Sequence, residues 1–213
     1  MIDPRLESAL AAQLAEWRAA LADGAQRVGW KLGMGDRERI GGPVIGHLTS
    51  ASVLDDGSSY ESTDGALHAD AEVVVRMGRD LGADADEDEA RAAIAGCGAA
   101  LELVDLAEPP VEPEAIVAAN VWHRAVVLAG GGATLAGVEG RLLVDGEVRA
   151  RAAAPADVAD RVLVVARLLG ALGERLQAGD RIITGSVVQV PVARGVEVVA
   201  DLGALGSARA QVR

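Results

Sequence analysis

The chain has 213 residues, half of them hydrophobic and 2% aromatic, with a formal net charge of −12. That balance argues against nucleic-acid binding, which needs clustered Lys and Arg for phosphates and aromatic platforms for bases. The single cysteine, Cys97, excludes an internal disulfide framework and fits a reducing cytoplasm, and no run approaches the roughly 20 apolar residues of a membrane span.

The opening MIDPRLESAL lacks a basic stretch followed by an apolar block, so a cytoplasmic protein without a secretory signal is expected. Asp3 and Pro4 read as an N-cap and first helical position, and Leu6, Leu10, Leu14, Trp17 and Leu21 recur at helical spacing up to Gly24. An N-terminal helical segment of about 1–27 is therefore predicted. The glycine-rich RVGWKLGMGDRERIGGPVIGHLTS predicts a short strand over 28–32 followed by turning chain, and 70–77 predicts another strand. The acidic run DADEDEARAAIAG lacks the glycine and spaced terminal Glu of a calcium loop. Asp86 with Glu89 reads instead as a capping box. AALELVDLA predicts a strand, EPPVEPEAIVAAN one or two helical turns, and RAVVLAG a further strand. In RLLVDGEVRARA, Asp145-Gly146 between two alternating runs predicts a hairpin. PADVADRVLVVARLLGALGERLQ reads as the longest helix, with Val158, Val162, Val165, Leu169 and Leu172 on one stripe. The rest of the chain predicts short β-runs broken by glycines. One domain over 1–213 is expected, without internal repeats.

Within this frame a few residues carry chemistry. Asp70 and Glu72, two apart on a strand, point to one face, and Glu102 lies in a run that should be buried. Three acids from two strands offer the hard oxygen ligands that Mg²⁺ or Mn²⁺ prefers. Ion pairs with Arg76, Arg79 or Lys31 would account for them as well. Lys31, the one lysine in the chain, stands between Gly29 and Gly33 as a compact point charge or a plain surface lysine. His123 in NVWHRA is a candidate general base or a structural histidine. GDRIITGS ends a strand in Thr184-Gly185-Ser186, where exposed amides can hold a carboxylate. It lacks the lysine and glycine spacing of a phosphate loop. Cys97, between Gly96 and Gly98, reads as packing.

Taken in order, GWKLG, PVIGHL, DAEVVVRMGRDL, ALELVD, IVAAN, VARLLGALGERLQAGDRIITGS and GALGSARAQV resemble the 2-keto-4-pentenoate hydratase and 4-oxalocrotonate decarboxylase branch of the fumarylacetoacetate hydrolase superfamily, from about Gly29 to the C-terminus. The resemblance implies an α+β fold with a mixed β-roll core and surrounding helices, homo-oligomers built from dimers, and a divalent metal, Mg²⁺ or Mn²⁺. The implied metal ligands are Asp70, Glu72 and Glu102. The family's lysine falls on Lys31, and Gly33, Gly185 and Ser186 fall where the family meets substrate. In such enzymes a 2-keto acid chelates the metal, which stabilises the enolate formed as a proton moves, with the lysine beside the developing charge.

The chain departs from the branch pattern at several positions. Asp70 stands where hydratases carry Glu, Val44 replaces the acid after the proline, and Ala119 replaces the Asp of an Asp-Asn pair. Trp122 and His123 replace small polar residues, which makes His123 the candidate stand-in for the lost acid. The expected activity is that of a metal-dependent hydratase, a lyase acting on a short unsaturated 2-keto acid in the catabolism of aromatic-derived fragments. Alternatives are a 2-keto acid decarboxylase, an acylpyruvate-type C–C hydrolase, or a non-catalytic 2-keto acid binding homologue. A small-molecule 2-keto acid is the expected partner, with no nucleic acid and no membrane.

Overall fold

The computed structural model describes residues 4–34, 41–62, 66–106, 112–131, 135 and 137–213, so the N-cap reading at Asp3 falls outside them. Helix α1 (Pro4–Ala22) buries Leu6, Leu10, Leu14 and Trp17 on the stripe that the sequence predicts. It also buries Gln13, whose Nε2 donates to Ile45 O at 3.1 Å and Val117 O at 2.6 Å. A buried amide bonded to two distant backbones fixes the helix more specifically than an apolar side chain would.

The chain then runs through β1 (Arg27–Gly33), β2 (Val44–Thr49), β3 (Val53–Leu54), β4 (Ser59–Tyr60) and β5 (Leu67–Met77). Helix α2 (Glu87–Ala93) leads directly into β6 (Ile94–Asp105), and α3 (Pro113–Ala118) precedes β7 (His123–Leu128). Strands β8 (Glu139–Val144) and β9 (Glu147–Ala153) form the predicted hairpin, with positive φ at Asp145 and Gly146. Helix α4 (Ala159–Ala171) is followed by β10 (Arg181–Pro191), β11 (Val196–Asp201) and β12 (Ser207–Val212).

Two predictions need correction. Residues 44–49, expected as turning chain, form β2, antiparallel to β1. Both faces of β2 are largely buried, so no polar alternation marks it in the sequence. The longest helix is α1, at 19 residues, rather than α4, at 13. The chain leaves helical geometry after Ala171, where the Leu172 N–H closes a tighter turn onto Leu169 O. The capping box at α2 forms as predicted: Glu89 N donates to Asp86 Oδ1, and Asp86 N to Glu89 Oε2.

Among the described residues twelve strands make two sheets, ordered β2-β1-β10-β5-β6-β7-β3 and β4-β12-β11-β8-β9, in the α+β roll expected from the sequence. The larger sheet is mixed, since β1 runs parallel to β10 and β10 antiparallel to β5. One of its faces joins the main core with Trp30, Leu32, Ala69, Ala71, Val73, Leu101 and Leu103. Its other face carries a smaller apolar cluster of Leu48, Val74, Ala100, Val126 and Ile183, and it is this face that holds the charged side chains. No helix among the described residues is long and apolar enough to cross a membrane.

Candidate active site

Strand alternation builds the site. In β5, Ala69, Ala71 and Val73 enter the main core, so Asp70 and Glu72 point to the opposite face. The antiparallel register of β5 and β6 sets Asp70 directly opposite Glu102. In β1, Trp30 and Leu32 enter the core and Lys31 points the other way, toward the carboxylates.

Strand β10 completes the arrangement through an irregularity. Its register against β5 shifts between Ile183 and Ser186 and again between Ser186 and Val188. Gly185 lies within the shift at φ +99, in the left-handed region, and its N–H donates to Glu72 Oε2 at 2.8 Å. A Cβ there would stand 3.0 Å from Met34 Cγ. The Gly185 amide, expected to hold a substrate carboxylate, is thus taken up by Glu72.

Asp70, Glu72 and Glu102 are buried, at 5%, 2% and 1% exposure, and each offers an oxygen within 4.8 Å of the others. Lys31 Nζ donates to Glu102 Oε1 at 2.5 Å and to Val121 O at 3.0 Å. His123 Nδ1 also meets Glu102 Oε1, at 2.7 Å, and its Nε2 lies 3.0 Å from Ser52 Oγ. The ion-pair alternative is therefore realised at Glu102 alone. Arg79 bonds Ala92 O, and among the described residues Arg76 pairs with no acid.

Burial and then Glu102 push the Asp70 carboxyl up to about 7, although hydrogen bonds from Gln189 and Ser186 and the charge of Lys31 oppose the shift. Burial, then Glu102 and Asp70, push Glu72 well above the usual carboxylate range. Burial pushes Glu102 up too, but Lys31 and His123 more than offset it, leaving Glu102 below its ordinary value and ionised. Burial lowers His123, so the imidazole is neutral and Nδ1–H donates to the Glu102 carboxylate.

Asp70 Oδ1 is buried with no hydrogen-bond partner. Three clustered carboxylates against one ammonium, one of them with an orphaned oxygen, match the hard, negatively charged donor set that a divalent cation takes. The residues present fit such an ion.

A cavity of about 270 Å³ opens onto this cluster. Its polar end is formed by Lys31, the three acids, Ser186 and Gln189. Leu32, Met34, Val104, Leu106, Val121 and Trp122 add apolar lining, and Gly33 and Gly185 complete it. Every predicted site residue lines it except His123, which stands behind Glu102. Gln189, a lone polar residue in the run VVQVP, escaped the sequence reading although that isolation was a usable signal. Asn120 is the second residue of the Asp-Asn pair in which Ala119 replaces the Asp. Its side chain clasps the β2 backbone, accepting from His47 N at 2.8 Å and donating to His47 O at 3.0 Å.

No protein-family model and no curated protein matches the chain. Solved structures do. One is the 4-oxalocrotonate decarboxylase of Pseudomonas putida G7 complexed with magnesium and adipate, which is 25% identical over 96% of this chain and 85% of that one, with a TM-score of 0.86. The same enzyme complexed with calcium and acetate gives the same identity and coverage at a TM-score of 0.85. The fumarylpyruvate hydrolase of Pseudomonas aeruginosa, in complex with Mn²⁺ and pyruvate, shares the fold at 18% identity over 88% of this chain and 89% of that one, with a TM-score of 0.66. The resemblance carried by the sequence motifs, to the hydratase and decarboxylase branch, holds in the structure.

Proposed function

Taking that branch of the fumarylacetoacetate hydrolase superfamily as the premise, we propose that the chain is a divalent-metal-dependent enzyme that hydrates the conjugated double bond of a short unsaturated 2-keto acid. The observation that carries the reading is the buried triad of Asp70, Glu72 and Glu102 facing Lys31 across one cavity. Asp70, Glu72 and Glu102 would hold Mg²⁺ or Mn²⁺. So bound, the ion supplies Lewis acidity toward the carboxylate and keto oxygens of the substrate.

The chain's own residues do the rest. Lys31, fixed by Glu102 and Val121 O, presents its ammonium to the charge that develops on the substrate and serves as proton carrier. Glu72 is aimed by the Gly185 amide, and Asp70 by Gln189 and Ser186. His123 does not touch the cavity and acts as a positioning residue, holding Glu102 by Oε1. The apolar lining of Leu32, Val104, Leu106, Val121 and Trp122 puts hydrocarbon beside the carbons of a bound substrate.

Decarboxylation is the second reading, favoured by the 25% identity to 4-oxalocrotonate decarboxylase. Titration calorimetry with oxalate, an enolate mimic, tests the shared part. Oxalate should bind in the presence of Mg²⁺, lose binding with EDTA, and lose it in Glu72→Gln. Oxalate binding that ignores Mg²⁺ would sink the proposal. Identification of a hydrated keto acid or of CO₂ as product then separates the two reactions.

A further inference from the structure

We propose that the sheet face holding the carboxylates carries a second site at its other end, where Arg76 and Arg181 bind a small dianionic oxyanion of the phosphate type. Strand alternation puts Asp70, Glu72, Val74 and Arg76 on one face of β5. Val74 meets Ile183 of β10 in the smaller apolar cluster, which thus lies between two polar ends. At the far end the register sets Arg181 directly opposite Arg76. The Cβ atoms of such a pair stand about 5 Å apart, and like charges so placed destabilise a sheet. Among the described residues neither guanidinium holds an acid, although the chain has 32 Asp and Glu against 20 Lys and Arg. Arginines elsewhere are matched, Arg27 with Asp180, Arg141 with Asp201 and Arg209 with Asp56.

The two arginines share a cavity of about 120 Å³ with Gly96, Gly98, Gly130 and Gly131, and no acid lines it. The register explains the opening. Gly96 stands across from Arg76 and Gly98 across from Val74, so β6 lays no side chain over that flank. Cys97 between them joins the main core on the opposite face, so its thiol takes no part. What faces the cavity is two guanidinium groups, backbone, and the small apolar side chains of Val74 and Ala129. Guanidinium groups meet phosphate oxygens through paired N–H donors, and two of them match the charge of a dianion. The volume suits one such ion and is well below the roughly 300 Å³ at which pockets for larger ligands begin. A dianion between the arginines turns their repulsion into attraction and ties β5 to β10.

The test uses the protein in EDTA, so that no divalent metal takes part. Titration calorimetry with inorganic phosphate at constant ionic strength should find one ion bound per chain. Arg76→Gln and Arg181→Gln should each weaken that binding at least about tenfold, as the loss of charge-assisted hydrogen bonds requires. Acetate, with a single charge, should bind at least about tenfold more weakly than phosphate. Arg76 is exposed, so its replacement leaves folding intact. Without phosphate, Arg76→Gln removes one of two repelling charges and should melt no lower than the wild type, whereas phosphate should raise the Tm of the wild type alone. An absence of phosphate binding at about 10 mM, or binding that both variants keep, overturns the proposal. Dissociation of Arg76→Gln into smaller species in analytical ultracentrifugation overturns it equally, because the arginines would then be answering acids of a second copy of the chain.

Discussion

At the scale of single residues, the protonation of Asp70 governs what the site can hold. Its carboxyl, raised to about 7 by burial and by Glu102, is neutral below that value in the metal-free protein, whereas a cation requires the carboxylate. Proton and cation therefore compete, and affinity falls as pH drops through 7. Glu72, raised for the same reasons, shifts the balance in the same direction. Calorimetry should find Mg²⁺ bound at least about tenfold more weakly at pH 6 than at pH 8, with proton uptake into the buffer on binding; equal affinity at both values refutes the ligand role of Asp70. His123 acts one step further back. His123→Leu leaves Glu102 Oε1 with Lys31 alone and should weaken Mg²⁺ binding by about tenfold or more, with partial recovery in His123→Gln, which can still donate. A Mg²⁺ affinity indifferent to His123→Leu would reduce the residue to packing. Asp70, Glu72 and Lys31 were legible because a strand period and a unique lysine mark them. The Glu102–His123–Ser52 chain was not, because it joins β6, the start of β7 and the turn before β3, with His123 and Ser52 71 residues apart in sequence.

At the scale of elements, the site depends on β1 and β10 lying side by side, and a cluster outside the cavity holds them. Asp180, just before β10, accepts from Arg27 Nε at 2.7 Å, Arg27 Nη2 at 2.5 Å, Trp30 Nε1 at 3.3 Å and Gln177 N at 2.9 Å. The Arg27 guanidinium lies 5.5 Å from the Trp17 ring and 5.3 Å from the Trp30 ring, which ties α1 into the same knot. Removing one partner of a buried ion pair leaves the other uncompensated, so Asp180→Ala should cost about 3–5 kcal/mol in chemical denaturation. A loss under about 1 kcal/mol would mean the pair is no stronger than a surface one. The helices were readable from apolar spacing and the hairpin from Asp145-Gly146. The double register shift in β10 was hidden, since TGS spells a turn as readily as a strand that continues past a distortion. Strand β2 was hidden for the opposite reason: burial on both faces erases the alternation by which a strand is recognised.

At the scale of the whole molecule, the larger sheet does two incompatible jobs on its two faces. One face supplies an apolar core continuous with the helices and the smaller sheet, and the other concentrates three carboxylates among apolar neighbours. Without a cation, the second job works against the first, because ionised Asp70 and Glu72 repel Glu102 in a dry setting where Lys31 answers only one of them. Stability should therefore be linked to metal. At Mg²⁺ concentrations about 100 times the dissociation constant, ligand linkage contributes about 2.7 kcal/mol, which for a chain of this size corresponds to about 5–10 °C in Tm. The same repulsion gives the converse sign in a variant. At pH 8 without metal, Asp70→Asn removes a charge that burial opposes, so it should melt above the wild-type protein while showing little further gain from Mg²⁺. Differential scanning calorimetry of both proteins, with EDTA and with Mg²⁺, reads the two effects together. A wild-type Tm unmoved by Mg²⁺, or an Asp70→Asn protein that melts lower without metal, would show that this face was built for its own packing rather than for an ion.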